Sequence, residues 1–316
     1  MKNFGLGNPL TVYLPRAFRA GAEIIHDSAV TRVLTNQGGD RATGVEYYDA
    51  QGQRHVQEAG LVILAAYAFE TPRILLNSSR DGLANSSGTL GRYMMAHTTS
   101  SVFGLFEEET ENHLGMTGGQ LVCQDNYAKT PRNGYLSSSQ WLIGNALKPN
   151  DLLGICNTRP DLFGAPLHDF LRTATKHMGI MTFVGEGLPD SGNRLVLSEK
   201  KDQWGFPLAR VNHQFGPDSL KCWEAGIEQG RAVFDAAGAR EVWVSRRAQM
   251  HTMGGAIMGR SADASVANSY GQAHDVSNLF IAGSSLFPTS GGVNPTFTLT
   301  ALALRSAEYM LSDWPG

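Results

Sequence analysis

Residue types in this sequence offer chemistry, but no spacing by itself singles out a site. Histidine titrates near neutral pH when unperturbed, so it can take a proton from a hydroxyl. Of nine histidines, His251 stands just ahead of the glycine pair Gly254-Gly255. Asn294 lies between Gly292-Val293 and Pro295, and its amide can both accept and donate, orienting a hydroxyl without a charge of its own. Each also has an ordinary reading. Most histidines are surface or satisfied core residues, and an asparagine ahead of a helix is a favoured N-cap. The three cysteines, Cys123, Cys156 and Cys222, form no CxxC pair or other metal-type spacing, so they establish neither a disulfide framework nor a metal site.

The elements that must hold these residues come from hydrophobic patterning. Residues 10–20 are ambiguous between strand and short helix. Glu23-Ile24-Ile25-His26 and Val30–Leu34 have strand character, closed by the turn signal Asn36–Asp40. Gly44–Tyr48 and His55–Gln57 flank a turn at Asp49–Gly52 and predict a hairpin. Leu61–Ala66 is a continuous apolar run of the kind a strand buried on both faces shows, and it leads into a helix over Phe69–Leu76, a βα unit. Two-residue alternation predicts antiparallel strands at Arg194–Ser198 and Leu208–Val211. Leu220, Trp223, Ile227 and Phe234 share one face of a helix that opens at Pro217-Asp218-Ser219 and closes at Gly238. Glu241–Ser245 and Asn278–Gly283 follow as strands. A final helix spans Thr296–Leu311, with Pro295 suited to its first turn.

The chain has 316 residues, 42% hydrophobic, with a net charge of −3. That length supports one or two cores. The scattered Lys and Arg give no electrostatic footprint for nucleic acid. No apolar run approaches the ~18 residues of a membrane span, and Met1–Gly7 has no signal-peptide core.

In order along the chain, Leu64-Ala65-Ala66-Tyr67-Ala68-Phe69-Glu70-Thr71-Pro72-Arg73, Gly91-Arg92-Tyr93-Met94-Met95-Ala96-His97, His251-Thr252-Met253-Gly254-Gly255 and Asn278–Thr298 together resemble the family blocks of glucose-methanol-choline (GMC) oxidoreductases. The Ala-Ala-Tyr and Ala-Gly-Ser-Ser variants are most similar to the gluconate, fructose and sorbitol dehydrogenase large subunits. The resemblance covers the chain, weakly between about 100 and 190. It implies an α/β plus α+β fold: an FAD-binding α/β domain, here incomplete, and an antiparallel-sheet substrate domain. The implied division is 1–96 for part of the FAD domain, 97–250 for the substrate domain and 251–316 for the return to the FAD domain with the catalytic motifs.

By that resemblance FAD is the cofactor, taking a hydride from a CH–OH carbon, while His251 is the base and Asn294 holds the oxygen. Val30 matches a position touching adenine through its backbone. Ala65 and Ala66 lie where the chain passes near FAD. Gly283 and Ser284 match the phosphate and ribityl region, and Asn294, Pro295 and Thr296 begin the helix whose positive end faces the flavin ring. His97 closes its block and suggests a packing or domain contact.

The departure is the GxGxxG strand–turn–helix that grips the FAD pyrophosphate. Gly5-x-Gly7 and Gly88-x-x-Gly91 lack that context and read as turns. The expectation is therefore a fragment or split-gene product, with apolar surface exposed along Leu61–Leu64 and Leu279–Ile281 and poor solubility alone. The activity implied is oxidation of a sugar, polyol or sugar acid, with a dehydrogenase or an oxidase both open. The alternative is a non-catalytic partner subunit that needs a separate N-terminal FAD-binding chain; an electron-transfer subunit is a further possible partner. An NAD enzyme fits badly, because no fingerprint or catalytic Tyr-Lys pair is present. Relatives are often periplasmic, and location stays open.

Overall fold

The computed structural model describes residues 8–114, 121–129, 134–144 and 147–315. Gly5 and Gly7 lie outside them. The ambiguous segment near the N-terminus is helical, as α1 (Pro9–Val12), capped by Asn8, and α2 (Leu14–Arg19). Glu23–His26 is not a strand: these residues are exposed and pair with no strand among the described residues. Apolar character without a partner strand does not hold an extended segment in a sheet.

The first sheet is antiparallel, β1 (Ala29–Thr35), β2 (Ala42–Tyr48) and β3 (Arg54–Glu58) in that order. Next, β4 (Val62–Leu64) leads into α3 (Tyr67–Ser78). The long central strand β5 (Met95–Leu105) is followed by β6 (Leu121–Cys123), β7 (Ser139–Ile143), α4 (Pro149–Cys156), α5 (Ala165–His177) and β8 (Met178–Gly185). A two-stranded pair, β9 (Arg194–Lys201) and β10 (Pro207–Asn212), precedes α6 (Pro217–Ala236), β11 (Glu241–Val244) and β12 (Ala248–Met253). The chain ends in β13 (Leu279–Ile281), one 3-10 turn (Ser284–Leu286) and α7 (Thr296–Ser312).

Six strands form the large antiparallel sheet, in the order β11-β5-β8-β7-β6 with β12 also on β5. Helix α6 lies on it through its small residues. A Cβ on Gly226 would come within 2.2 Å of the Phe183 ring, so glycine is what permits the close approach. Val102, Trp141, Phe183, Ile227 and Phe234 fill that interface. A separate core joins residues from 33 to 90 with residues from 256 to 286, among them Val33, Leu64, Leu75, Val266, Leu279 and Ile281.

Strands β4 and β13 pair in parallel, Val62 with Leu279 and Leu64 with Ile281. The far edge of β13 is also occupied, since Ile281 donates its N–H to Gly271 and Ala273 donates to Leu279. Leu279, Phe280 and Ile281 are therefore fully buried, with Phe280 edge-on to Trp314 beyond α7. The expected exposure of Leu279–Ile281 does not occur. At Leu61–Leu64 the expected apolar exposure occurs in part, whereas the expected burial of the run on both faces does not. Val62 and Leu64 are buried, but Ile63 between them is 47% exposed, so β4 is covered on one face only.

Candidate active site

His251 owes its place to an irregular ladder. Met250 pairs with His97 and Met253 with Met95, so β12 carries one extra residue against β5 across His251-Thr252. Such a bulge re-aims a side chain. It also places His251 at φ 55°, a left-handed conformation that is strained for a non-glycine residue and tends to mark functional sites. Behind it, Gly254 and Gly255 both have positive φ, and a Cβ on Gly254 would lie 1.9 Å from the Tyr93 carbonyl oxygen. The glycine pair lets the strand turn back against the 91–97 segment.

Two hydrogen-bonded paths meet at the His251 ring. On one side, Nδ1 of His251 lies 3.0 Å from Nδ1 of the fully buried His97, the rings being edge-on. On the other, Nε2 lies 3.5 Å from Nδ2 of Asn294. The orientation of the Asn294 amide follows from its neighbours. Gln124 donates to Oε1 of Gln140 at 3.0 Å, and Gln140 donates to Oδ1 of Asn294 at 2.9 Å. The Asn294 NH2 is thereby turned towards His251. Burial lowers the pKa of His251 below its ordinary value, which keeps the ring neutral and able to accept a proton.

Asn294 is not the helix cap: the N-cap of α7 is Pro295, and no side chain among the described residues caps the helix. The asparagine is exposed on the loop ahead of α7 while Pro295 is buried. Thr296, exposed, begins the helix. The amides of that first turn leave donors and a partial positive charge facing outward.

The loop of residues 287–291 is pinned beneath by Glu186, which is fully buried. Its carboxylate accepts from the Ser138 amide and hydroxyl, both at 2.9 Å, from Lys129 at 3.0 Å and from Thr289 at 3.2 Å. Burial raises its pKa, and the Ser138 and Lys129 donors more than offset that, so it titrates below the usual carboxylate range.

Of the residues expected near FAD, Ala65, Ala66, Gly283 and Ser284 lie at the carboxyl ends of β4 and β13. Ala282 donates to the Leu64 carbonyl at 2.8 Å, which sets Ala65-Ala66 and Gly283-Ser284 side by side, where open α/β sheets bind ligands. Gly283 has φ 111°, with open space where a Cβ would point. The hydroxyls of Ser284 and Ser285 are buried with no hydrogen-bond partner among the described residues. Nearby, Val30 and Ala66 line a cleft of about 380 Å³ whose walls include Glu70, Arg73 and Trp204. Small residues, orphaned hydroxyls and an open helix start suit the oxygens and rings of a dinucleotide.

Family profiles described as GMC oxidoreductase match residues 9–99 and 189–303. The chain belongs to the GMC oxidoreductase family. Among curated members, it is 31% identical to the 2-methyl-1,2-propanediol dehydrogenase of Mycolicibacterium austroafricanum, over 96% of this chain and 57% of that one. It is also 31% identical to the fructose dehydrogenase large subunit of Gluconobacter japonicus, over 94% of this chain and 55% of that one. This GMC oxidoreductase chain thus spans about half the length of the curated relatives it matches. Among solved structures it resembles a formate oxidase of Aspergillus oryzae RIB40, studied for the effect of a mutation on FAD modification. The TM-score is 0.66 at 16% identity, covering 90% of this chain and 60% of that one. The fold is that of these GMC oxidases, with mixed helices and antiparallel sheets. No helix among the described residues is long and apolar enough to cross a membrane.

Gln140 and Glu186 were not legible in the sequence, and His97 reads there as a packing or domain contact ahead of catalysis. The blocks offered no spacing signal for Gln140 or Glu186, while His97 was visible as the last residue of its block.

Proposed function

We propose that this chain supplies the catalytic base and substrate side of an FAD-dependent oxidoreductase acting on the CH–OH group of a sugar, polyol or sugar acid. The observation that carries the reading is the pairing of His251 Nε2 with the Asn294 amide at the start of α7. Nε2 takes the hydroxyl proton, and the Asn294 NH2 holds the same oxygen as it becomes a carbonyl. FAD, when bound, would supply the hydride acceptor. Val30, Ala65, Ala66, Gly283, Ser284 and the Asn294-Pro295-Thr296 turn would hold it. In this reading residues 1–96 and 251–316 make up the cofactor side and 97–250 the substrate side.

A second feature supports a requirement for a separate FAD-binding segment or chain. Ile63 leaves the outer face of β4 apolar and exposed, and Phe297, Leu304 and Leu311 form an exposed apolar row on α7. Rows of this kind mark surfaces covered by another element.

The test is titration of the purified chain with FAD, followed by turnover with polyols and sugar acids, alone and with a co-expressed GxGxxG segment. Turnover lost by ~10²–10⁴-fold in His251→Ala, with FAD affinity unchanged, is the expected result. A folded complex that binds FAD and turns over equally well with His251→Ala would sink it.

A further inference from the structure

The contact between His97 and His251 joins a fully buried ring to the proposed base, and its chemistry follows from one carbonyl. Nε2 of His97 lies 3.3 Å from the Ser290 carbonyl oxygen. A carbonyl only accepts, so this nitrogen carries the hydrogen. The position of that oxygen is not adjustable, because the Ser290 hydroxyl donates to the Gly187 carbonyl at 3.0 Å and accepts the Gly187 amide at 3.2 Å. Burial first, and then the neighbouring His251, pushes the pKa of His97 down to about 4, so at neutral pH its ring has a single N–H.

With that hydrogen on Nε2, Nδ1 of His97 presents a lone pair to His251 at 3.0 Å. Two lone pairs at that distance repel, whereas an N–H facing a lone pair is a hydrogen bond. The hydrogen of neutral His251 therefore sits on its own Nδ1, and Nε2, beside Asn294, is bare. The reverse assignment would set the bare Nε2 of His97 against the Ser290 carbonyl and leave His251 with no lone pair towards Asn294. Of the charged groups, Glu186 acts on His97 and favours its protonation, and Glu186 is itself paired to Lys129.

We infer that His97 is a positioning residue: held by the Ser290 carbonyl, it fixes the tautomer of His251 so that Nε2 is the proton acceptor. This rests on the reading of His251 as the base. The same contact persists after proton uptake, because the imidazolium still donates from Nδ1.

The test is 15N NMR of the full chain labelled at histidine, near neutral pH, with signals assigned by single histidine replacements. It reads tautomers directly and needs neither flavin nor turnover. The expected spectrum shows His97 protonated at Nε2 and His251 protonated at Nδ1 only. In His97→Asn, Oδ1 takes the place of Nδ1 and His251 keeps that tautomer. In His97→Leu the acceptor is gone and His251 shifts to the Nε2-protonated form. Wild-type His251 carrying its hydrogen on Nε2, or an unchanged spectrum in folded His97→Leu, overturns the inference. Should the leucine variant not fold, the wild-type and asparagine spectra decide. In the flavin-loaded enzyme, kcat should fall at least ~10-fold in His97→Leu with little change in KM, and recover in His97→Asn. Tautomers as expected, with turnover intact in His251→Ala, would instead refute the proposed base while leaving this geometry standing.

Discussion

Gln140, on β7, donates to Oδ1 of Asn294 at 2.9 Å. The bond ties the antiparallel sheet to the loop that opens α7, and it makes the Asn294 amide a donor towards His251. In the proposed reaction the substrate oxygen would be held by an amide whose orientation is set from the antiparallel sheet.

Replacing Gln140 with leucine frees that amide to rotate. Turnover of the flavin-loaded enzyme should drop roughly 10-fold, about 1.4 kcal/mol of transition-state stabilisation, with FAD affinity unchanged. Steady-state kinetics beside a flavin titration checks this; equal losses in both would mean that Gln140 only supports the fold.

Stability should depend on pH through His97. Burial, and then His251, lowers its pKa from 6.5 to about 4. Between those values the unfolded chain holds a proton that the folded chain lacks, so stability is full above the upper value and falls as pH drops towards the lower. The loss totals about 3 kcal/mol. Denaturant unfolding across this window should show a flatter profile in His97→Asn than in wild type. Glu186 and His251, whose pKa values are also lowered, lose stability on acidification too, but both remain in both proteins, so the difference reports His97.

Gly254→Ala should destabilise the chain by at least ~2 kcal/mol, because the new methyl would meet the Tyr93 carbonyl oxygen at 1.9 Å in a backbone conformation that L-residues avoid. Thermal unfolding measures it. A melting point unchanged from wild type would show that the 91–97 and 251–255 segments do not pack this closely.

Leu304→Glu together with Ile63→Lys should reduce self-association of the chain alone, since both side chains are exposed and apolar. The same pair should weaken capture by a GxGxxG-bearing segment. Light scattering and co-purification read the two effects; wild-type levels of both would remove these faces from the interface.

What the sequence revealed is uneven, for physical reasons. The strand at 279–281, the final helix and the glycine turn after His251 were legible because local patterning and turn chemistry specify them. Burial of the 61–66 run on both faces was misread, because an apolar run looks the same whether one face or two are covered; the exposure expected along Leu61–Leu64 is met at Ile63. Glu23–His26 was misread because strand character says nothing of whether a partner strand is available. The His97–His251 contact spans 154 residues and depends on a bulge, which leaves no periodic trace. Gln140 lies where the family blocks are weakest, and its importance comes only from what it faces.

Asn278 has a consequence for how this fold is reached in the cell. Its side-chain oxygen accepts the Ala42 amide at 2.7 Å, and its NH2 donates to the carbonyls of Ala42 and Gly60 at 2.7 and 2.8 Å. The first sheet is therefore clasped to a residue made 236 positions later. At ~5–20 residues per second of synthesis, Ala42 waits on the order of ten to fifty seconds before its clasp exists. For that interval β4 is without its parallel neighbour. The early part of the nascent chain is an open half-fold, and a chaperone with affinity for bare apolar strands would find its target there.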